Sequence, residues 1–179
     1  MICDSSAFAQ EKPYNFLIKD ALVFDGESSK FREQDIAIAG DRIVQVGQVP
    51  AEDAEEIIEG EGLVAAPGFI DIHTHSDFNP FVYPNLGNKI LQGVTTEVVG
   101  NCGMSAAPDK DRHRDEIGKV WTREGVQIPS PIPWESFGEY ANEAEVQGLE
   151  TNLAGLVGHG NLRSAVMGME PRKASPEEI

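Results

Sequence analysis

The sequence predicts an α/β fold that begins with a small β-sandwich segment over residues 13–66 and continues as the first part of a parallel α/β barrel over residues 67–179. Short apolar runs separated by turn signals fill the first segment, which is typical of β structure. Beyond Pro67-Gly68, strand-like runs alternate with stretches of helical character, which is the order of elements in a parallel sheet. The first of these runs is apolar on both faces, as expected for a strand that helices cover.

Within the first segment, four runs have the length and composition of strands. They span residues 16–18, 21–24, 35–38 and 42–46. Turns are predicted at Asp25-Gly26 and at Ala39-Gly40-Asp41. The acidic stretch 52–56 is predicted to be a solvated loop or turn rather than a binding site, since short charge runs usually face water. Residues 1–12 are predicted to be a disordered N-terminus.

In the second segment, three strands are predicted at residues 63–72, 94–100 and 151–158. A short helix is predicted between the first two strands, over residues 85–93. A longer helix is predicted over residues 134–147, because apolar side chains recur there at helical spacing. Strand, helix, strand, helix, strand is the opening of a parallel barrel.

The last residues carry the signature of a helix start, with Ser175 as N-cap, Pro176 at the first helical position and acidic residues in the first turn. Together with only three barrel strands, this start predicts that the barrel is incomplete in this chain. We therefore expect the chain to be an N-terminal fragment of a longer protein.

Composition excludes several functional classes. Apolar residues make up 40% of the chain, which is enough for a packed core. The formal net charge of −16 argues against nucleic acid as a partner, because proteins that bind the phosphate backbone concentrate Lys and Arg on one face. No apolar stretch approaches the roughly 20 residues that a membrane span needs, so we expect a soluble protein.

The expected location is the cytoplasm. With only two cysteines, the chain cannot form a disulfide framework of the kind that exported domains use. Ala7-Phe8-Ala9 is similar to the cleavage site of an export signal, but the basic and apolar regions that should precede it are missing. Export is the alternative, if these residues are the remnant of a signal.

The feature that most strongly indicates a function is His73-Thr74-His75, at the end of the first predicted barrel strand. In an extended strand alternate side chains share a face, so the two imidazoles converge. Catalytic groups in parallel barrels lie at the carboxyl ends of the strands. The pair therefore predicts a metal site, although two ordinary polar residues at a strand end are the alternative.

Cys102 follows the second predicted strand directly, so a barrel would bring its sulfur to the same rim as the two histidines. A lone cysteine is more often a small buried apolar residue. Near a divalent cation, however, its thiolate form is stabilised. A third metal ligand is accordingly one of two interpretations of Cys102.

The third predicted strand brings Gly158-His159-Gly160 and Arg163 to the same rim. His159 is a candidate catalytic residue that polarises a substrate carbonyl, or alternatively a histidine that shapes the loop. Its two glycines allow backbone or ligand to approach closely. Arg163 is a candidate for binding a substrate carboxylate, or alternatively for a structural ion pair.

Three motifs resemble a known family. Residues 67–77 (PGFIDIHTHSD) resemble the first barrel strand of the amidohydrolase superfamily. Residues 93–103 (GVTTEVVGNCG) and 156–163 (LVGHGNLR) are more specific, and they are similar to the N-acyl-D-amino-acid deacylase, or D-aminoacylase, branch of it. The resemblance runs from about Tyr14 to the last residue.

The resemblance implies a TIM barrel with a small β-sandwich built from both chain ends, and a centre of one or two Zn²⁺ ions. It places a cysteine ligand at Cys102 and the histidine pair of the metal centre at His73 and His75. Further histidine ligands and a catalytic aspartate come from later barrel strands in the family, and the 179 residues stop before them. Activity of this chain alone is for that reason doubtful.

The implied reaction is hydrolysis of the amide bond of small N-acyl-D-amino acids to a carboxylate and a D-amino acid. Water activated at zinc attacks the acyl carbonyl, and the aspartate carries a proton to the departing amine. A related hydrolase of cyclic amides or dipeptides, similar to dihydroorotase or hydantoinase, would share His73 and His75. A truncated, non-catalytic chain is the alternative outside the enzyme class.

Overall fold

The structure, a computed structural model, describes residues 12–83, 87–109, 118–119, 121–122, 125, 127–129 and 131–179. Except for Lys12, the predicted disordered N-terminus lies outside the described residues. The chain divides between Pro67 and Gly68 into two compact units, each with its own sheet. Among the described residues, no helix is both long and apolar enough to cross a membrane.

The first unit is built on a mixed five-stranded sheet. Its strands are β1 (Tyr14–Phe24), β2 (Phe31–Ala39), β3 (Arg42–Gly47), β4 (Ala54–Glu59) and β5 (Val64–Ala65). They are ordered β3-β2-β1-β4, with β5 also pairing with β1. The β1–β2 and β2–β3 pairs are antiparallel, whereas β4 and β5 run parallel to β1. Leu17, Ala37, Val49 and Ala54 form its buried core.

Two predictions for this unit are wrong. The runs 16–18 and 21–24 are one strand, because β1 continues through an irregularity between Ile18 and Ala21, where Asp20 has a φ of 55°. The acidic stretch 52–56 is not a loop throughout: a 3₁₀ turn at Ala51–Asp53 leads directly into β4. Parallel pairing with β1 outweighs the weak strand preference of the glutamates, whose side chains stay exposed.

The second unit is the predicted parallel α/β arrangement. Strands β6 (Phe69–Asp71), β7 (Val94–Val99) and β8 (Asn152–Gly155) are parallel neighbours in that order. The helices are α1 (Asn79–Val82), α2 (Phe137–Gln147) and α3 (His159–Met167), with 3₁₀ turns at Ile90–Gln92 and Pro176–Glu178. Parallel pairing brings the carboxyl ends of all three strands to one edge of the sheet.

Helix α2 starts three residues later than predicted because Ser136 caps it. The Ser136 side chain accepts the Glu139 N–H, and the Glu139 side chain accepts the Ser136 N–H. Tyr140 and Ala144 on this helix are buried. Tyr140 also belongs to the main core of the unit, which is an aromatic cluster of Phe78, Ala106, Ala107, Trp121, Ile132, Trp134 and Tyr140.

The predicted strand 63–72 is divided. Its first part is β5 in one sheet and its second part is β6 in the other, because Pro67-Gly68 interrupts the ladder between them. The predicted burial on both faces is also wrong: Phe69, Ile70 and Ile72 have exposed fractions of 63%, 61% and 75%. The described residues therefore leave most of the surface of these three side chains uncovered.

Two other elements are shorter than predicted. Of the helix expected over 85–93, only the 3₁₀ turn Ile90–Gln92 is present in the described part, and residues 85–86 lie outside it. The third strand ends at Gly155, and the chain turns into α3 at His159. The predicted helix start at Ser175 is confirmed by a reciprocal Ser175–Glu178 capping box.

Candidate metal centre

The structure brings His73, His75 and Cys102 together. One ligand atom from each lies within 4.8 Å of the other two. His73 Nε2 is 3.3 Å from Cys102 Sγ, and the centres of the two imidazole rings are 5.7 Å apart. The histidines follow β6 and the cysteine follows β7, so the parallel register of two neighbouring strands produces the convergence.

The turn that carries Cys102 depends on Gly100, two residues before the cysteine. Gly100 has a φ of 82°, and a methyl group there would lie 2.0 Å from the Leu156 carbonyl oxygen. Cys102 itself has a φ of 55°, which is the left-handed region that non-glycine residues rarely adopt. The chain therefore turns sharply at the end of β7, and the thiol is exposed beside His73.

The histidine segment is held against β7 after β6 has ended. Thr74 N donates to the Val98 carbonyl oxygen at 3.2 Å. The Asn101 side-chain amide donates both to the Thr74 carbonyl, at 3.2 Å, and to the Val98 carbonyl, at 2.7 Å. These bonds fix the backbone between the two imidazoles.

Asp71 and Lys89 support the same segment electrostatically. Lys89 Nζ lies 2.5 Å from Asp71 Oδ2, and Asp71 Oδ1 accepts the His73 N–H at 3.3 Å. The hydrogen bond from Lys89 lowers the pKa of Asp71, and the Asp71 carboxylate raises the pKa of Lys89. Both groups are therefore charged at neutral pH.

A divalent cation fits the residues present. His75 Nδ1 is buried and makes no hydrogen bond to a described residue, which is costly for an imidazole unless a ligand takes it. Two imidazole nitrogens and a thiolate are the donor set that zinc accepts, and three protein ligands leave a position for water or substrate. His73 and Cys102 are exposed and His75 is partly buried, so the cluster is open on one side.

Around His75 the surroundings are aromatic and apolar. Its ring meets the edge of Trp121 at a centroid distance of 5.9 Å. Asp77, two residues further on, is buried, and this burial raises its pKa to about 6 against a smaller opposing effect of nearby backbone N–H groups. The Tyr140 hydroxyl donates to the Asp77 carbonyl at 2.8 Å, so α2 anchors the end of the histidine segment.

His159 lies outside the cluster of three ligands, as the first, exposed residue of α3. The glycines on either side of it are required by backbone approach, as one of the sequence interpretations held. A methyl group on Gly158 or Gly160 would lie 2.6 or 2.7 Å from the Gly103 carbonyl oxygen, to which Gly160 N donates at 2.8 Å. The Gly-His-Gly motif thus packs α3 against the turn that carries Cys102.

Arg163 points its donors at the backbone. Its guanidinium donates to the carbonyl oxygens of Glu170, at 2.5 Å, and Arg172, at 3.2 Å. These bonds hold the segment after α3 and give the side chain a structural role, although through carbonyls and not through the ion pair considered from sequence. A substrate carboxylate would have to displace them.

Sequence reasoning missed Glu97. It is buried in β7, where its carboxylate accepts hydrogen bonds from Ser76 Oγ, at 2.6 Å, and Thr151 Oγ1, at 2.9 Å. The signal was present in the sequence, because Glu97 interrupts the β-branched run of Val94–Val99. A charged residue in a buried strand needs partners, and these partners lie beside the histidines.

Comparisons with known proteins indicate the family of the chain. The sequence profile described as amidohydrolase family matches residues 56–178. A D-aminoacylase of Alcaligenes xylosoxydans xylosoxydans is 34% identical over 171 residues, which cover 96% of this chain and 34% of that protein. An N-acyl-D-glutamate deacylase of the same organism is 37% identical over 158 residues, covering 88% of this chain and 31% of that protein.

A solved structure is similar as well. The N-acyl-D-glutamate deacylase of Bordetella bronchiseptica, crystallised with zinc and a phosphonate inhibitor, matches with a TM-score of 0.77 and 32% identity over 92% of this chain and 34% of that one. This likeness confirms the predicted fold class. The chain spans about a third of the length of these relatives. Since the profile covers more than half of its residues, the chain belongs to the amidohydrolase family.

Proposed function

We propose that this chain provides part of the metal centre of a zinc-dependent deacylase, which hydrolyses the amide bond of N-acyl-D-amino acids to a carboxylate and a D-amino acid. The observation that carries the proposal is the convergence of His73, His75 and Cys102 within 4.8 Å. Support comes from 34% identity to a D-aminoacylase over nearly the whole chain.

His73, His75 and Cys102 would hold one or two zinc ions. When bound, zinc supplies Lewis-acid activation, which can bring the pKa of water to about 7. The chain's own residues set the conditions for this. Both imidazoles have to be neutral and the Cys102 thiol has to be ionised, so binding releases protons and weakens at acidic pH.

The open side of the cluster is where a substrate would enter. His73 and Cys102 are exposed there, whereas the other side is closed around Trp121 and Phe78. His159, exposed at the start of α3, remains the candidate within this chain for polarising the acyl carbonyl. The bond from its neighbour Gly160 to the Gly103 carbonyl supports this role, because Gly103 belongs to the turn that carries Cys102.

The sulfur ligand separates the two enzyme candidates. A hydrolase of cyclic amides or dipeptides would share the two histidines. Cys102 within the cluster, and the Gly-His-Gly motif packed against its turn, support the deacylase instead.

Zinc content after dialysis tests the ligand roles. In a protein that carries this chain together with the later barrel strands, we expect Cys102→Ala and His73→Ala each to lose stoichiometric zinc and the hydrolysis of N-acetyl-D-amino acids, because the metal centre loses one of its ligands. His159→Ala is the matched control for zinc, since that histidine lies outside the cluster and should leave the zinc content unchanged. Retention of one zinc per chain by both ligand variants would refute the assignment.

The stereochemistry of the released amino acid tests the substrate. Paired N-acetyl-D- and N-acetyl-L-amino acids should give free amine from the D series alone. Equal release of free amine from the D and L series would be consistent with an amide hydrolase but would refute D specificity. Exclusive opening of hydantoin or dihydroorotate rings would favour the cyclic-amide alternative.

A further inference from the structure

A polar network contacts the histidine segment, and three of its members, Thr74, Ser76 and Glu97, are buried while the others are partly exposed. We call it the Lys89–Glu97 network, and its members are Asp71, Thr74, Ser76, Lys89, Glu97 and Thr151. We propose that Lys89 and Glu97 are positioning residues, which hold His73 and His75 in the geometry that a metal ion needs. This inference rests on the proposed function.

The network makes hydrogen bonds with the histidine segment at three positions. Asp71 Oδ1 accepts the His73 N–H, while Asp71 Oδ2 pairs with Lys89 Nζ. Thr74 Oγ1 lies 2.8 Å from Ser76 Oγ and 3.4 Å from Lys89 Nζ. Positions 71, 74 and 76 flank the two histidines. Any displacement of the backbone that carries either imidazole would therefore break one of these contacts.

Glu97 joins the three strands behind the site. It lies on β7, with an exposed fraction of only 5%. One carboxylate oxygen accepts from Ser76, beyond the end of β6, and the other accepts from Thr151, immediately before β8. The ammonium group of Lys89 lies 3.5 Å from the first of these oxygens.

Stability alone does not account for such a cluster. A buried ion pair is weak evidence of stabilisation, because apolar residues of the same volume often serve a fold equally well. What a fully bonded network adds is a fixed arrangement of the groups around it. Thr74 and Ser76 are the chain neighbours of His73 and His75, so fixing the two hydroxyls restricts the backbone that carries both rings.

The consequence for a metal centre is measurable. Groups that support metal ligands without touching the metal commonly change affinity by about 10–100-fold when removed. The same loss is expected here for Lys89 and Glu97. It would come without loss of any of the three ligand atoms.

The test is a Co²⁺ titration of the 179-residue chain and three variants, followed by the absorption of the thiolate–cobalt complex. The variants are Lys89→Met, Glu97→Met and the double variant. Lys19→Met is the matched control, since Lys19 also pairs with a buried carboxylate, that of Asp35, at 3.6 Å in the first unit. Thermal melts of all five proteins set a titration temperature at which each remains folded.

Both single variants should bind Co²⁺ about 10–100-fold more weakly and show altered visible spectra at saturation, whereas Lys19→Met should match the unsubstituted chain in both. The double variant removes the buried Glu97 carboxylate together with Lys89 and leaves only the partly exposed Asp71 without its cation, so it should melt above Lys89→Met, yet its cobalt affinity should remain low. If the double variant recovered both cobalt affinity and melting temperature, the network would serve only to pair its own charges. That result would overturn the inference.

Two further outcomes are decisive. Affinities within twofold of the unsubstituted chain and identical spectra in the single variants would overturn the positioning role while leaving the proposed function intact. If the unsubstituted chain shows no thiolate–cobalt absorption at all, the three side chains do not bind a metal by themselves and this inference is overturned, whereas the proposed function, in which later strands add further ligands, is not.

Discussion

At the scale of single residues, the ligand cluster was accessible from sequence because two simple rules place it. Side chains alternate along a strand, and the carboxyl ends of parallel strands meet at one edge. These rules bring His73, His75 and Cys102 together, as the structure shows. The partners of Arg163 were not accessible, because they are backbone carbonyls of Glu170 and Arg172, which carry no sequence signal.

Gly158→Ala is predicted to loosen the metal site. The new methyl group would meet the Gly103 carbonyl oxygen at 2.6 Å, so we expect a loss of about 1–3 kcal/mol and weaker metal binding as the Cys102 turn shifts. Denaturant unfolding and zinc titration measure the two effects. Gly138→Ala is the control: it lies in α2 with nothing within 4 Å of the added methyl, and should stabilise by about 0.5–1 kcal/mol. Equal effects of both substitutions would contradict the steric argument.

Asp35 predicts a pH dependence of stability. Burial raises the pKa of its carboxyl, but hydrogen bonds from the Asp20 and Val49 N–H groups and the charge of Lys19 bring it below the ordinary value of 3.8. A depressed folded pKa gives stability that is present above pH 3.8 and lost as the pH falls through the lower, folded value. Asp35→Asn should therefore lower the free energy of unfolding at pH 7 and flatten its decline below pH 4.

Urea unfolding at pH 7 and pH 3 measures both quantities. Asp41→Asn is the control, since the Asp41 side chain is 91% exposed and the Arg42 side chain with which it pairs is 81% exposed. If the free energy of unfolding of Asp35→Asn fell between pH 7 and pH 3 by as much as that of the unsubstituted chain, Asp35 would not be the cause of the pH dependence.

At the scale of elements, the helix start marked by capping residues at Ser175 was predicted better than the lengths of strands. Capping residues act within one turn, so Ser175 was identified from local sequence. Strand extent depends on pairing partners that are distant in the chain. Residues 63–72 accordingly divide between two sheets, and β4 forms from a run of glutamates because β1 pairs with it.

Ser136→Ala is predicted to cost about 1 kcal/mol, because the N-cap of α2 loses its bond to the Glu139 N–H. Since α2 carries Tyr140, which is bonded to the Asp77 carbonyl, the loss should reach the aromatic core of the second unit. Urea unfolding followed by tryptophan fluorescence measures it. Ser175→Ala, which removes the same motif from a three-residue 3₁₀ turn, should cost less. The reverse order would contradict the dependence on core packing.

At the scale of the whole molecule, the sequence predicted a small β unit followed by a parallel α/β unit, and the structure contains both. Composition and element order suffice for this because each unit has a different periodicity. Burial was predicted less well, since Phe69, Ile70 and Ile72 are apolar in sequence and exposed in the structure. An apolar strand sequence predicts that the strand is buried, but it does not identify the residues that bury it.

The 179-residue chain is accordingly predicted to self-associate with increasing concentration, since exposed apolar side chains and strand edges favour contacts between copies. Light scattering across a concentration series measures this. Ile72→Thr, at a position 75% exposed, should reduce association without lowering the melting temperature. A monomer that melts cooperatively at every concentration would contradict the prediction.

The backbone conformation of Cys102 carries one more implication. At a φ of 55°, glycine or asparagine would relax the chain, so selection for folding alone would disfavour sulfur at this position. Natural sequences retain a destabilising residue where function requires it. Random mutagenesis selected purely for heat resistance should therefore replace Cys102 early, whereas selection for metal binding should retain it.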